Sequence, residues 1–203
     1  MSNPTQTHRR GGDARVLRII GGAWRGRRLR FADVPAIRPT PDRVRETLFN
    51  WLAPVVAGAR CLDLFAGSGA LGLEALSRGA SHVTFVERDR GAARAIEACL
   101  AEWDHDRRCD WRMVSADAAD FLGAPGHPFD LVFLDPPFAS GMLPAVATEL
   151  ERGGWLTATA RIYLECPATE QPTVPANWTH AREKRSGQVG YHLYSRHRGI
   201  AAE

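Results

Sequence analysis

The sequence predicts an α/β fold in which a mostly parallel sheet is covered by helices on both faces. From residue 60 onward, short apolar runs alternate with helical stretches, which is typical of such a sheet. The chain has 203 residues, of which 44% are hydrophobic, so it can bury a substantial core. Its last part has the pattern of an antiparallel hairpin. The sequence contains no internal repeat and no linker that would separate two globular domains.

The N-terminal part is expected to form a small basic β extension in front of the main domain. Residues 1–14 are polar and rich in glycine, and we expect a disordered arm there. Residues 15–31 predict two short strands around a turn at Gly21 and Gly22. Because arginines occupy most of their outward positions, we treat 15–40 as a basic extension that contacts an anionic partner.

A helix is predicted at the start of the main domain, which we take to be 41–203. Thr40 can cap this helix with its hydroxyl, Pro41 suits its first position, and Asp42 adds an acid to its first turn. Apolar residues then recur at helical spacing, and Pro54 ends the segment.

The rest of the main domain alternates between strands and helices. The predicted strands lie at 61–65, 83–86, 111–115, 131–134 and 162–164. The predicted helices lie at 70–78, 90–103, 117–122 and 142–152. The tail segments NWTHAREKR and VGYHLYSRH, joined by SGQ, predict the closing antiparallel hairpin.

The charge of the chain is unevenly distributed. The formal net charge is +3, but residues 1–45 carry +8 and residues 46–203 carry −5. Of the 26 basic residues only Lys184 is a lysine, and arginine presents a planar fork to phosphates and base edges. A basic front end on a mildly acidic body indicates an anionic partner that approaches from one side.

Several classes of protein are excluded by what the sequence lacks. No apolar segment resembles a secretory signal or reaches the ~20 residues of a membrane span, so we expect a cytoplasmic protein without a membrane partner. The four cysteines are scattered and are expected to be reduced thiols. The seven histidines show no metal-ligand or catalytic-triad spacing, and we expect no metal.

A glycine-rich loop follows the first strand of the main domain and leads into a helix. It comprises Ala66, Gly67, Ser68, Gly69, Ala70, Leu71 and Gly72, and fits G-x-G-x-x-G. Such a loop lets the backbone approach a ligand near a helix N-terminus. Glu87 ends the next strand 20 residues after Gly67, where an acid can hold ribose hydroxyls. A dinucleotide such as NAD is therefore one candidate cofactor.

An acid just before this loop favours a different cofactor. Asp63 would repel a pyrophosphate, but it can pair with an ammonium group or order the loop by accepting backbone N–H bonds. S-adenosylmethionine has an amino-acid end, a ribose and no phosphate, so it suits Asp63 better. Asp117 can accept a hydrogen bond from an adenine amine or merely cap the short helix that follows it, and the residues alone leave both open.

The motif Asp135-Pro136-Pro137-Phe138 directly follows an apolar strand. The two prolines fix the backbone and leave carbonyl oxygens without competing local N–H donors. An acid, a carbonyl and an aromatic ring are thus held at the carboxyl edge of the sheet. This group can accept both hydrogens of an exocyclic amine while the ring stacks on the base. We therefore predict methyl transfer to a nucleobase amine.

Together these motifs resemble class I S-adenosylmethionine-dependent amino-methyltransferases. Within that class the chain is similar to the bacterial RsmD family, which methylates guanine N2 in 16S ribosomal RNA. The stretches that carry the resemblance, spread over roughly residues 15–195, are Arg18–Gly22, Arg25–Arg27, Arg38–Leu52, Asp63–Gly69, Asp135–Phe138 and Pro172–Trp178.

The resemblance implies a Rossmann-like, seven-stranded methyltransferase sheet and a defined site. The target would be the N2 amine of guanine 966 of 16S ribosomal RNA in the assembled small subunit, and S-adenosylhomocysteine would be the second product. The implied cofactor-binding residues are Thr40, Asp63, Ala66, Gly67, Ser68, Gly69, Glu87, Arg88, Asp117 and Ala118. The implied catalytic residues are Asp135, Pro136, Pro137 and Phe138.

The arginine-rich front is predicted to contact RNA, since basic groups supply affinity for phosphates. The predicted contact residues are Arg18, Arg25, Arg27, Arg28, Arg43 and Arg45. The expected partners are the small subunit and its nearby ribosomal proteins, with the enzyme itself a monomer. Three alternatives remain: an N6-adenine DNA methyltransferase, a nicotinamide-dependent dehydrogenase, and a non-catalytic RNA-binding assembly factor.

Overall fold

The computed structural model describes residues 15–31, 40–105 and 109–197. The predicted disordered arm and residues 32–39 of the predicted extension lie outside the described residues. The strands are β1 Arg15–Arg18, β2 Arg28–Phe31, β3 Arg60–Asp63, β4 His82–Val86, β5 Asp110–Val114, β6 Phe129–Leu134, β7 Leu156–Pro167, β8 Trp178–Ser186 and β9 Val189–Arg196. The helices are α1 Asp42–Leu52, α2 Ala70–Ser77, α3 Arg90–Trp103, α4 Ala118–Leu122 and α5 Leu143–Arg152, with a 3₁₀ turn at Phe138–Ser140.

Seven of these strands form one sheet in the order β5-β4-β3-β6-β7-β9-β8. The first five in this order run parallel, and β9 pairs antiparallel with both β7 and β8. The strand order reverses between β3 and β6, and ligands of open α/β sheets bind beyond the carboxyl ends of the strands at such a point. The α/β fold with a C-terminal hairpin is therefore confirmed.

Two apolar cores cover the two faces of the sheet. One contains side chains of α1, α2 and α3, including Leu48 and Ile96, packed against alternate residues of the central strands. The other contains side chains of α4 and α5, including Leu122 and Leu150. Because consecutive strand residues point to opposite faces, the central strands are apolar throughout.

The N-terminal extension is a separate two-stranded sheet that packs on the α1–α3 face. Strands β1 and β2 pair antiparallel, as expected, but nine residues rather than a tight glycine turn connect them. Leu17, Ile19, Trp24 and Leu29 join the main core. The rings of Trp24 and Trp103 meet edge to face, with centroids 5.7 Å apart. The extension is therefore built into the core by its apolar side chains.

A buried carboxylate also connects the extension to the main domain. Glu74 of α2 accepts hydrogen bonds from the backbone N–H groups of Ile20 and Gly21, at 2.9 and 2.8 Å. The same carboxylate pairs with Arg45 of α1 and with Arg78. Since Glu74 and Arg45 are fully buried, each depends on the other for compensation of its charge.

Helix α1 begins where the sequence predicts it, but Thr40 does not cap it. The N-cap residue is Pro41, whose side chain accepts no hydrogen bond. The Thr40 hydroxyl instead donates to Glu165 Oε1, at 3.3 Å. The helix predicted from the local pattern is correct, whereas the partner of Thr40 lies 125 residues away in the chain.

The largest difference from the predicted elements is the length of β7. Only 162–164 was expected, because Thr157, Thr159 and Arg161 interrupt the apolar pattern of the first half. The strand extends further because both β6 and β9 pair with it. It therefore ends beyond Glu165, at the same edge of the sheet as the ends of β3 and β6.

Candidate active site

A cavity of about 230 Å³ lies at the carboxyl ends of β3, β4, β5 and β6. The predicted cofactor and catalytic residues that line it are Thr40, Asp63, Ala66, Gly67, Ser68, Glu87, Arg88, Asp117, Ala118, Asp135 and Pro137. The lining residues to which the sequence analysis assigned no cofactor-binding or catalytic role are Leu64, Phe65, Ala70, Leu71, Val86, Asp89, Ala116 and Met142. Most of these flank a predicted residue in the chain, so they follow from the same loops.

Three predicted residues do not line this cavity. Gly69 is the N-cap of α2, and its φ of +76° is a left-handed conformation that glycine adopts most readily. Pro136 and Phe138 line a second cavity of about 170 Å³, whose wall also includes Pro137 and Met142. Pro137 and Met142 therefore line both cavities. The Asp-Pro-Pro-Phe segment thus separates the two spaces.

The glycine N–H groups of the loop are engaged by the protein itself. The bonds are Gly67 N–H to Glu87 Oε2 at 2.7 Å, Gly69 N–H to the Ala66 carbonyl at 2.6 Å, and Gly72 N–H to Asp63 Oδ2 at 2.9 Å. A loop that binds pyrophosphate presents such N–H groups to the ligand. Here carboxylates and a carbonyl occupy them, which disfavours a dinucleotide.

The charge of the cavity wall also disfavours a dinucleotide. The acidic residues in the wall are Asp63, Glu87, Asp89, Asp117 and Asp135. The wall contains one basic residue among the described residues, Arg88, and its side chain is exposed. Such a wall repels a pyrophosphate and attracts a cation. The chemistry of the wall therefore fits S-adenosylmethionine, whose ammonium and sulfonium groups carry positive charge.

Asp63 is the most deeply buried of these acids. Burial raises the pKa of its carboxyl to about 7, although the N–H of Gly72 lowers it and the nearby Glu87 raises it further. Gly72 has a packing role as well, since a Cβ there would lie 2.2 Å from the ring of Phe85. The strand, the loop and the helix therefore hold Asp63 in place beside the cavity.

Asp117 and Glu87 each use part of their carboxylate for local structure. Asp117 Oδ1 accepts from the backbone of Ala119 and caps α4, at 3.0 Å. Glu87 accepts from Gly67 with one oxygen and from Asp89 with the other, at 2.7 Å each. A carboxylate has about four acceptor positions, so both groups can still bind a ligand hydroxyl or amine. The capping interpretation of Asp117 is correct, and Asp117 also lines the cavity.

Asp135 lines the first cavity, and the next residue in the chain, Pro136, lines the second. Its carboxylate is half-buried and accepts no hydrogen bond from the described residues. Burial, together with the carboxylates of Glu165 and Asp63, raises the pKa of Asp135 well above its usual range. The Pro137 carbonyl accepts from both the N–H and the hydroxyl of Ser140, whereas the Pro136 carbonyl receives no hydrogen bond from the described residues. Pro136 therefore offers the unoccupied carbonyl beside Asp135.

The sequence analysis missed Glu165 and Tyr163 on β7. Glu165 is buried, and its Oε1 accepts from the hydroxyls of Tyr163 at 2.8 Å and Thr40 at 3.3 Å. The signal was present, since Glu165 follows a buried apolar run just as Asp135 does. The exposed aromatic ring of Phe138, at 40% accessibility, lies at the second cavity that Glu165 also lines.

A family model described as "Conserved hypothetical protein 95" matches residues 17–195. Ribosomal RNA small subunit methyltransferase D of Escherichia coli K12 is 52% identical over 181 residues, which cover 89% of this chain and 90% of that protein. The chain belongs to the ribosomal RNA small subunit methyltransferase D family. The protein of the same name in Haemophilus influenzae is 43% identical over 88% of this chain and 93% of its own length.

Solved structures agree with this membership of the methyltransferase D family. The structure of putative methyltransferase yhhF from Escherichia coli has a TM-score of 0.83 and 51% identity, covering 90% of this chain and 98% of that one. SMU.776, a putative methyltransferase complexed with SAH, has a TM-score of 0.62 and 17% identity, covering 75% of this chain and 48% of that one. The second likeness concerns the fold alone, and it supports the Rossmann-like class I architecture.

In this member of the methyltransferase D family, five of the six arginines predicted to contact RNA are exposed. They are Arg18, Arg25, Arg27, Arg28 and Arg43. Arg18 pairs with Asp42 at 3.3 Å, and Arg27 donates to the carbonyl of Trp103 at 2.9 Å. Arg25 and Arg28 have no protein partner among the described residues. The exposed arginines remain a predicted RNA surface.

Arg45 was wrongly assigned to this surface. Its side chain is fully buried and donates to Asp42 Oδ1 at 2.6 Å and to the carbonyl of Arg18 at 2.8 Å. It also pairs with Glu74 at 3.4 Å. A guanidinium enclosed by these acceptors has no access to a phosphate, so Arg45 is a structural residue that joins α1 to α2 and the extension.

The described histidines include one cluster that linear spacing did not indicate. Ligand atoms of His180, Glu183 and His192 lie within 4.8 Å of one another on the C-terminal hairpin. A bulge between His180 and Arg182 shifts the register of β8 and brings the first two residues together. Burial lowers the pKa of His192, while Glu183 raises it and Arg185 lowers it further. We assign no metal to this cluster.

Proposed function

We propose that this protein transfers a methyl group from S-adenosylmethionine to the N2 amine of one guanine of 16S ribosomal RNA, leaving S-adenosylhomocysteine. The position of Asp135 carries the proposal. Its unpaired carboxylate borders an acidic cavity suited to a cationic methyl donor, and the next residues border a second cavity beside an exposed aromatic ring. The names of the relatives, which specify ribosomal RNA of the small subunit, support RNA over DNA as the substrate.

The acidic cavity contains a suitable group for each part of the cofactor. Asp63 and the loop from Ala66 to Ser68 would hold the amino-acid end, Glu87 the ribose hydroxyls, and Asp117 the adenine amine. When bound, S-adenosylmethionine supplies an electrophilic methyl group on a positively charged sulfur. The five acids of the wall compensate that charge.

The residues around Asp135 would bind and activate the guanine amine. The Asp135 carboxylate and the Pro136 carbonyl accept the two N2 hydrogens, and Phe138 stacks on the base. These bonds increase the electron density on nitrogen, which ring conjugation otherwise lowers. As the bond from N2 to the methyl carbon forms, the carbon–sulfur bond breaks, and Asp135 accepts the proton that N2 releases. The raised pKa of Asp135 suits a proton acceptor of this kind.

The finer identity of the substrate follows from the family resemblance. We propose guanine 966 in the assembled small subunit as the target, with a monomeric enzyme that acts in the cytoplasm, where ribosomes are found. No helix among the described residues is long and apolar enough to span a membrane. The N2 amine is paired in a helix, so the target base must be unpaired or flipped out.

Replacement of Asp135 tests the proposal directly. Asp135→Ala is expected to slow methylation of small subunits by roughly 10²–10⁴-fold. The substitution removes the carboxylate that accepts a hydrogen bond from the guanine amine and also takes up its proton. Affinity for S-adenosylhomocysteine, measured by calorimetry, should be retained. Asp120→Ala on the exposed part of α4 is the matched control and should behave like the unaltered protein.

The product distinguishes this proposal from its alternatives. Small subunits from cells that lack the gene should yield N2-methylguanosine after treatment with the purified protein, as identified by nucleoside mass spectrometry. Formation of N6-methyladenine in DNA, tight binding of NAD, or an unchanged rate in Asp135→Ala would each contradict the proposal.

A further inference from the structure

The second cavity is a narrow space between the Asp-Pro-Pro-Phe segment and the end of β7. Its volume of about 170 Å³ is comparable to the roughly 150 Å³ of an engineered cavity that holds one aromatic ring. Pro136, Pro137, Phe138 and Pro167 give it flat apolar walls. None of its described lining residues is basic, so a phosphate is not its ligand. The walls suit a planar ring that carries hydrogen-bond donors.

Among the described residues that line this cavity, Glu165 has the one buried carboxylate. Leu134 of β6 pairs in register with Leu164 of the parallel strand β7, so Asp135 and Glu165 occupy equivalent positions at the same edge. They are therefore neighbours on one face of the sheet. If the exocyclic amine of a base is hydrogen-bonded to Asp135, the ring nitrogen beside that amine would lie close to Glu165.

The two oxygens of Glu165 differ in their surroundings. Oε1 accepts from the hydroxyls of Tyr163 and Thr40. Oε2 receives no hydrogen bond from the described residues. Burial raises the pKa of Glu165, whereas the hydrogen bonds from Tyr163 and Thr40 lower it. The two hydroxyls also orient the carboxylate and leave Oε2 as an acceptor for a ligand.

We propose that the second cavity holds the flipped target base and that Glu165 selects guanine by accepting its N1–H. This inference rests on the proposed function and adds the residue that distinguishes guanine from adenine. In guanine the ring nitrogen beside the amine carries a hydrogen, whereas in adenine it carries a lone pair. A carboxylate binds the first and repels the second, so adenine is rejected even though its amine could reach Asp135.

An analogue of guanine tests this assignment without altering the protein. 2-Aminopurine keeps the N2 amine but has an unprotonated N1 and no O6, so it retains the methyl acceptor and loses the proposed contact together with O6. Small subunits reconstituted with 2-aminopurine at the target position should be methylated about ten- to a hundredfold less efficiently than those with guanine, judged by kcat/KM. Equal efficiencies would overturn the assignment.

A substitution at Glu165 tests the same contact from the side of the protein. In Glu165→Gln the amide oxygen keeps the two hydroxyl donors and the amide N–H₂ faces the base. The preference for guanine over 2-aminopurine should therefore fall toward unity or reverse. Glu149→Gln is the matched control, because Glu149 is an exposed acid on α5 that lines neither cavity, and it should keep the preference.

The outcomes separate this inference from the proposed function. If guanine subunits are not methylated by the unaltered protein, the proposed function fails. If guanine is methylated but Glu165→Gln discriminates as strongly as the unaltered protein, the role of Glu165 alone is refuted. Since Glu165 is buried, thermal unfolding and calorimetry with S-adenosylhomocysteine verify that the variant is folded. If it is not, equal methylation of guanine and 2-aminopurine by the unaltered protein still overturns the assignment.

Discussion

The buried carboxylates of this protein differ in the number of donors that each receives. Glu74 accepts from two backbone N–H groups and pairs with two arginines, so its charge is compensated within the fold. Asp63 is also buried, but within the described residues it accepts only from the N–H of Gly72. Ionisation of Asp63 is therefore costly until a cationic ligand binds. One carboxylate stabilises the fold, and the other is available for binding.

The pH dependence of cofactor binding should report on Asp63. The pKa of its carboxyl is raised to about 7, so the free protein holds a proton there below neutral pH. A cationic ligand favours the ionised form, and the affinity for S-adenosylmethionine should therefore increase as pH rises through about 7 and then level off. Above this pH, Asp63→Asn should bind S-adenosylmethionine at least about tenfold more weakly than the unaltered protein. Its affinity should also lack the increase that the ionisation of Asp63 produces.

Calorimetric titration between pH 6 and pH 8.5 (roughly one and a half units either side of the Asp63 pKa) measures this dependence. Glu46→Gln, on the exposed side of α1, is the control and should follow the unaltered protein. An Asp63→Asn variant with the full pH dependence of the unaltered protein would assign the titration to another group.

At the scale of single residues, the sequence reveals chemistry that depends on local order. Asp63, Glu87 and Asp135 follow apolar strand patterns, so their place at one edge of the sheet was predictable. The roles of Thr40 and Arg45 were not, because their partners Glu165 and Glu74 are distant in the chain. A local pattern carries no information about which distant acceptor a hydroxyl or guanidinium will meet.

At the scale of elements, the extent of β7 explains why Glu165 was overlooked. The first half of β7 contains polar residues, so a search for apolar runs does not identify it as a strand. Its full length depends on pairing with β6 and β9, which the local sequence does not show. The helices were easier to predict, because α2 and α3 begin and end within one residue of the expected positions. Their apolar spacing and glycine boundaries are local properties.

The junction between α5 and the C-terminal hairpin depends on one carboxylate. Glu151 accepts from the guanidinium of Arg196 at 2.6 Å, from Trp178 Nε1 at 2.9 Å and from Asn177 Nδ2 at 2.8 Å. These donors, Arg196 first, lower the pKa of Glu151 from 4.5 to about 2. The hairpin that forms the edge of the sheet is thereby held to the helix layer.

Replacement of Glu151 should make this junction weaker in a pH-dependent way. A carboxyl with a lowered pKa stabilises the fold above pH 4.5 and loses that contribution as pH falls toward about 2. Glu151→Gln should therefore lower the free energy of unfolding at pH 7 by roughly 1–3 kcal/mol. The difference from the unaltered protein should shrink as pH falls below about 4.

Urea denaturation at several pH values measures this difference. Glu149→Gln provides the control, since Glu149 lies on the same helix with its side chain exposed. A deficit for Glu151→Gln that stays constant down to pH 3 (roughly midway through the expected titration) would mean that the amide and the carboxylate differ in packing rather than in charge.

At the scale of the whole molecule, acidic and basic residues are concentrated on different parts of the structure. Five acids of the main domain line the first cavity, and the exposed arginines of the extension face solvent. Glu74 connects the two, because it lies one turn into the helix that follows the glycine loop and accepts from the backbone of the extension. The arginine surface is therefore held in a defined position relative to the cofactor loop. A rigid connection of this kind would align bound RNA with the site of methyl transfer.

The exposed arginines should control affinity for the ribosomal substrate without affecting the cofactor. Arg25 and Arg28 are exposed and have no protein partner in the described part of the chain, so their replacement removes charge at little structural cost. The double variant Arg25→Ala/Arg28→Ala should raise KM for small subunits and leave the affinity for S-adenosylmethionine unchanged. Each lost phosphate contact should reduce the slope of log affinity against log salt by about 0.7.

Arg94→Ala/Arg152→Ala removes the same charge from exposed positions on α3 and α5 and should leave that slope unaltered. Equal slopes for the two double variants would show that the phosphates lie against another surface.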